Sequence, residues 1–143
     1  MYAKGHYYLY KKKNPFKHLI YPLPNSNGHG IHAGMDIENN LRFGPNAEWV
    51  DSIEYSFDEN TLDEFCNSIK SYWINFDPSC LTPDYTGIRS KTVAEGEGSQ
   101  DFEILDASDH GLENLIHLQG IDSPGLTSSL SIAAEVISKL GIH

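Results

Sequence analysis

The sequence predicts an α+β chain, in which an antiparallel sheet with one covering helix is followed by a closing strand, loop and helix. Three observations predict it. Short segments rich in Tyr, Ile and Leu fill residues 5–49 between clusters of turn residues, a helical period runs over residues 59–73, and "NLIHLQG" leads through a small-residue loop into a second helical period. No residue pattern of a nucleotide-binding βαβ unit accompanies them. "GHGIHAG" misses G-x-G-x-x-G by one residue and lies among strands, while "EGEGSQD" lacks the third Gly and is acidic where phosphates would sit. No complete Rossmann unit is predicted.

The first strands are "GHYYLYKK", "HLIYPLP", "HGIHAGMDI" and "LRFG", separated by "KKNP", "NSNG" and "ENN", and they read as an antiparallel meander. The "ENN" joint between Ile37 and Leu41 is short, and Asn tolerates positive φ, so the third and fourth strands should pair directly. In "SFDENTLDEFCNSIKSYW", Leu62, Phe65, Cys66, Ile69, Tyr72 and Trp73 recur at spacings of three and four, with Asp58 placed to cap. This predicts a helix over Glu59–Trp73. "PDYTGIRSKT" and "DFEILD" read as strands around "AEGEGSQ", and "NLIHLQG" as a final, more buried strand. The last helix carries Leu126, Leu130, Ala133, Ile137 and Leu140 on one stripe, which should pack on a sheet.

Composition narrows the function. With 10 Lys and Arg against 20 Asp and Glu, the formal charge is −10, which disfavours nucleic acid and anionic membrane surfaces as partners. No apolar run approaches the ~20 residues a bilayer span needs, and "MYAKGHYYLYKKK" has no signal core, so a cytoplasmic setting is expected. Cys66 and Cys80 are the only cysteines, which excludes a disulfide framework and predicts two free thiols.

Few residues suggest chemistry by position alone. His29, His32 and Asp36 in "GHGIHAGMD" could be offered to a metal, but residues three apart on a strand point to opposite faces, so no metal site is expected. His32 suits proton transfer if it reaches a cleft, and is a hydrogen-bonded structural histidine if it does not. Arg89, between Ile88 and Ser90 in a cation-poor chain, suits a substrate carboxylate held by two parallel hydrogen bonds, or else a surface ion pair. The succession of strand, loop and helix at Gly120–Thr127 can present backbone N–H groups to an anionic or carbonyl-rich ligand. Ser123, Pro124 and Gly125 could equally do no more than cap and start the helix. No G-x-S-x-G elbow is present, and neither Cys neighbours a base in sequence.

Several stretches taken together resemble the later portion of FAD-dependent oxidoreductases of the D-amino-acid oxidase superfamily, with the look of its L-2-hydroxyglutarate dehydrogenase branch. They are "AKGHYY", "LIYPLPNSNGHGIH", "LRFGPNAEWV", "PDYTGIRSK" and "LIHLQGIDSPGLTSSLSIA", in the order and at about the separations of that family. The resemblance covers nearly the whole chain, but it has no counterpart to the family's N-terminal βαβ that grips the FAD nucleotide. It implies a substrate-binding sheet and helix over residues 1–110 and the closing strand, loop and helix of the FAD domain over residues 111–143.

The resemblance implies that Gly120, Ile121, Asp122, Ser123, Pro124, Gly125, Leu126 and Thr127 lie against the flavin ring, with a helix N-terminus stabilising negative charge there. Arg89, at the family's "GIRPK" position, would bind the carboxylate of a small 2-hydroxy acid, although Ser90 stands where the family has Pro. His32, at the "GIH" position, would take the hydroxyl proton, and Tyr7 and Tyr85 would line the pocket. On this reading the chain is a C-terminal fragment or subunit, inactive without a nucleotide-binding half. That half is expected on a separate polypeptide docking on apolar faces left open, unless the chain pairs with itself there. The competing readings are a non-catalytic module holding a small carboxylate and a folded remnant of a flavoenzyme.

Overall fold

Strand β1 (Tyr2–Tyr10) pairs with three other strands of the main sheet and gives it its order. The computed structural model describes residues 1–23, 30–94, 96–98 and 101–142. One edge of β1 is shared by β3 (Leu41–Phe43), opposite Tyr8 and Leu9, and by β4 (Glu48–Val50), opposite Tyr2–Lys4; both pairings are antiparallel. Three residues separate Lys4 from Tyr8 while four separate Phe43 from Glu48, so the chain carries a one-residue bulge where it passes from β3 to β4. On the other edge runs β5 (Leu81–Ser90), where the Lys11 N–H donates to Cys80 O at 2.9 Å and the Thr82 hydroxyl to Leu9 O at 3.4 Å. Pro83 is tolerated in β5 because, among the described residues, that strand pairs with β1 alone.

The predicted hairpin is present. β2 (Ala33–Met35) pairs antiparallel with β3 through Ala33–Phe43, Gly34–Arg42 and Met35–Leu41. Its turn is closed by Asp36, whose carboxylate accepts from the Glu38 and Asn40 N–H groups, and Asn39 takes the positive φ of 65°. Two expectations change. "HLIYPLP" contributes only the bridge Ile20–Ala33, and Pro22 removes a donor just beyond it. The sheet is not a meander either, because β1 lies inside it and joins β3 and β4 to β5.

Glu59–Thr61 forms a 3₁₀ turn that runs into α1 (Leu62–Tyr72), close to the predicted span. The Asp58 carboxylate accepts from Asn60 N at 2.9 Å, satisfying a donor the helix start leaves open. Phe65, Cys66 and Ile69 are buried against the sheet, whereas Leu62, at the start of the stripe, remains exposed. Alternation along β1 sets the two faces of the sheet. His6, Tyr8 and Tyr10 point to the helix side and meet Phe57, Phe65 and Trp73 edge to face or tilted, while Tyr7 points to the opposite side. Leu41, Phe43, Ala33 and Ile31 complete this core. Each such side chain contributes about 1.5–3 kcal/mol by leaving water.

The chain divides into two compact units, one spanning Tyr2–Ile88 and the other made of Met1 and the residues from Arg89 onward. In the second unit β6 (Glu103–Leu105) pairs antiparallel with β7 (His117–Gln119). Residue 110, expected at a domain boundary, therefore lies between two paired strands. Between them α2 (Ala107–His110) starts on an Asp106/Asp109 capping box and ends on Gly111 in the left-handed region. Helix α3 (Ser129–Lys139) is tied back by Lys139 Nζ on Asp106 Oδ2 at 2.8 Å.

Two burial expectations fail in this unit. β7 is not a buried strand, since His117 and Leu118 are exposed on a sheet of only two strands. The predicted stripe of α3 is not covered, because Leu126 is 90 % and Leu130 85 % exposed. The better-covered line is Ile132 and Val136, one turn apart.

Candidate functional site

On the face of the first sheet away from α1, the rings of Tyr7 and Tyr85 stack with centroids 4.4 Å apart and planes at 14°. Burial, and then the neighbouring Tyr7, raises the Tyr85 hydroxyl above its ordinary pKa. The pair borders a hollow of about 300 Å³ whose other walls are Gly34, Met35, Asp36, Arg42 and Gly44. Arg42 is clamped by two carboxylates, Asp84 Oδ2 on its Nε at 2.5 Å and Asp36 Oδ2 on its NH1 at 2.6 Å. These bonds, from Asp84 foremost, raise the pKa of the already charged guanidinium, while the Asn40 amide and backbone hold the Asp36 carboxyl below its usual range. Sequence reading passed over Arg42. The signal was there, because Arg42 sits between Leu41 and Phe43 much as Arg89 sits beside Ile88, but its acid partner lies far along the chain.

His32 immediately precedes β2 and is half-buried. Its ring meets Tyr21 edge-on at 4.4 Å and its carbonyl accepts from Gly44 N at 3.0 Å. It is outside the lining of the Tyr7–Tyr85 hollow. His29, its suggested companion for a metal, lies outside the described residues; among those described, no group of three His, Cys, Asp or Glu is placed to hold a metal ion. Cys66 and Cys80 are both free, and burial raises the Cys66 thiol.

The loop Gly120–Thr127 belongs to the second unit, and its small residues have steric reasons. Gly120 has φ +65°, in the left-handed region that favours glycine. A Cβ on Gly125 would come within 2.6 Å of Asp122 O and 2.7 Å of Ile121 Cγ2, because the Gly125 N–H turns back onto Asp122 O. Downstream, the Thr127 hydroxyl donates to Pro124 O at 2.9 Å and Ser128 N to the same oxygen at 3.1 Å. Ser128 begins α3 without a side-chain cap. The two glycines thus let the loop fold back closely on itself ahead of a helix start. Beside it Leu118, Ile121, Ser129, Ile132, Val136 and Ile137 help to line an apolar hollow of about 450 Å³. Among the described residues no βαβ unit is present to hold a nucleotide.

Arg89 meets this loop. Its Nε lies 3.7 Å from Asp122 Oδ1, and its side chain is 43 % exposed. The other carboxylate oxygen, Oδ2, accepts from Lys91 Nζ at 2.5 Å, and Oδ1 accepts from Ser123 N at 2.7 Å. Burial works against the charged carboxylate, but the Lys91 bond, the Ser123 N–H and the Arg89 charge outweigh it and hold Asp122 below the ordinary range. The structure therefore brings Arg89 together with the predicted cofactor-facing loop, and Tyr7 together with Tyr85, while His32 packs against Tyr21. Lys91 is a further charged residue of the site that sequence reading did not single out.

Comparison with known proteins identifies the family. Residues 1–139 match the family model described as FAD dependent oxidoreductase. The mitochondrial L-2-hydroxyglutarate dehydrogenase of Arabidopsis thaliana is 34 % identical over 96 % of this chain and 31 % of its own length. A glycerol 3-phosphate dehydrogenase of Caloramator mitchellensis is 31 % identical over 96 % of this chain and 28 % of its own. In fold, the chain superposes on the dithionite-reduced, FAD-bound L-α-glycerophosphate oxidase of Mycoplasma pneumoniae with a TM-score of 0.76, covering 99 % of this chain and 36 % of that one at 18 % identity. This chain spans about a third of the length of these relatives. A match from residue 1 to residue 139, on a mixed fold with antiparallel sheets, places the chain in the FAD-dependent oxidoreductase family.

Proposed function

We propose that this chain supplies the substrate-binding sheet and the cofactor-facing loop of an oxidoreductase that oxidises a small 2-hydroxy acid of the 2-hydroxyglutarate kind. The observation that carries the reading is Arg89. Its guanidinium lies beside the Gly120–Thr127 loop with only a loose 3.7 Å contact to an acid, so its hydrogen-bonding fork remains available to a carboxylate. FAD, when bound, accepts the hydrogen lost from the carbinol carbon. We place the Gly120–Thr127 loop against its ring, where the first-turn N–H groups of α3 favour negative charge nearby. His32 accepts the hydroxyl proton, a task suited to an imidazole near neutrality, and Tyr7 and Tyr85 line the pocket.

The nucleotide of FAD needs a binding portion beyond the residues described here. We assign the uncovered side of α3, with Leu126 and Leu130 at its start, as the surface that portion covers, whether it is carried on the same polypeptide or on another. Among the described residues no helix is long and apolar enough to cross a membrane.

Calorimetric titration of the chain with 2-hydroxyglutarate tests the reading. Wild-type chain should bind, and Arg89→Ala should weaken binding by about tenfold or more, as expected on losing a charged hydrogen-bonding partner. Equal binding by both would return Arg89 to a surface ion pair. Tighter binding of glycerol 3-phosphate than of 2-hydroxyglutarate would move the substrate class to phosphate esters, on which two of the relatives named above act.

A further inference from the structure

An acid next to a residue that must receive an anion is a rival for it. Asp122 lies in the Gly120–Thr127 loop, 3.7 Å from Arg89 Nε, and a full Arg–carboxylate pair would occupy the same donors a substrate carboxylate needs. The structure shows what limits that rivalry. Lys91 Nζ takes Asp122 Oδ2 at 2.5 Å, and the Ser123 N–H takes Oδ1 at 2.7 Å, so both carboxylate oxygens have partners other than Arg89. Lys91 is itself held in place, since its backbone N–H donates to Met1 O at 2.9 Å.

We propose that Lys91 is a positioning residue that holds Asp122 off Arg89 and so keeps the guanidinium open to the substrate carboxylate. The inference rests on the reading of Arg89 as the carboxylate-binding residue. Without the ammonium, Oδ2 loses its partner, and the nearest cation to the Asp122 carboxylate is the guanidinium already 3.7 Å away. A movement of less than an ångström would then turn the loose contact into a hydrogen-bonded pair, by the usual ~2.7–2.9 Å geometry. A substrate carboxylate would have to displace it.

The experiment uses the full chain and two readouts. In the ¹H–¹⁵N spectrum, the Arg89 Nε–H signal of Lys91→Met should shift downfield and exchange more slowly with water than in wild type, as its hydrogen bond to Asp122 forms. In calorimetry, Lys91→Met should bind 2-hydroxyglutarate about tenfold more weakly, the scale of one charge-assisted hydrogen bond. Lys91→Arg, which keeps a cation on Asp122, should retain most of the affinity. Asp122→Asn should tighten binding more in the Lys91→Met background than in wild type, because only there is Asp122 free to compete.

An unshifted Arg89 Nε–H signal in Lys91→Met would overturn the inference. So would an equal effect of Asp122→Asn in both backgrounds, which would mean that Lys91 acts only through its own charge. Lys91→Gln repeats the comparison if the methionine variant folds poorly. Failure of the Arg89 reading looks different: Arg89→Ala would leave binding intact, while the Nε–H signal would still report whether Lys91 restrains Asp122.

Discussion

His6 shows how a single residue can fix the first sheet. It is fully buried; its Nε2 accepts from Asp58 N at 3.2 Å, so the proton sits on Nδ1, which donates to Asn46 Oδ1 at 3.1 Å. One ring thus joins β1, the stretch between β3 and β4, and the residue that caps the 3₁₀ turn before α1. His6→Leu keeps much of the volume but leaves the part-buried Asp58 N–H without its acceptor, and should cost about 1–3 kcal/mol. The urea midpoint reads that loss, and an unchanged midpoint would remove His6 from this role. Sequence alone did not separate His6 from the other histidines, because its partners lie 40 and 52 residues away. The same distance in sequence hid the Arg42–Asp84 pair, 42 residues apart. Arg89 was singled out because a motif marked it. Lys91, two residues on, carried no mark until Asp122 was seen beside it.

Among the elements, the Glu59–Trp73 helix and the β2–β3 hairpin were legible because local chemistry determines both: Asp58 caps, the apolar period faces one side, and Asn39 accepts positive φ. Asp58→Ala should therefore lower stability by about 1 kcal/mol, as for other cap losses, with m unchanged in urea. A neutral result would mean the 3₁₀ turn is held by packing alone. Helix α3 was legible in place but not in orientation. Its sequence has apolar residues on more than one line, and periodicity could not say that Ile132 and Val136, rather than Leu126 and Leu130, are the better covered. Ile132→Ala should cost about 1 kcal/mol, whereas Leu130→Gln, at a site 85 % exposed, should stay within about 0.5 kcal/mol. Thermal unfolding of the two variants distinguishes these orientations, and the reverse ranking would restore the stripe expected from sequence. β7 was misjudged for a related reason. "NLIHLQG" looks like a strand with two covered faces, yet among the described residues its only strand partner is β6.

For the molecule as a whole, the resemblance visible in the sequence and the family match agree over almost the entire chain, while the chain spans about a third of its relatives' length. The two units carry different parts of the proposed work. The unit Tyr2–Ile88 has a packed aromatic core and a polar hollow, and the unit from Arg89 onward has the Arg89 guanidinium beside Asp122, the Gly120–Thr127 loop and a helix with exposed apolar residues. Under the proposed function the loop faces a flavin ring whose nucleotide is held by a further portion that covers this helix side. Leu130→Gln, silent in stability, should then weaken association with a nucleotide-binding portion. The most direct test mixes FAD with the chain alone, and with the chain plus a polypeptide carrying the nucleotide-binding βαβ portion of a relative, then records the visible spectrum after gel filtration. The account predicts flavin absorbance co-eluting with the chain only in the mixture, and bleaching of that absorbance by 2-hydroxyglutarate. Flavin retained by the chain alone, or no flavin in the mixture while 2-hydroxyglutarate still binds, would contradict it.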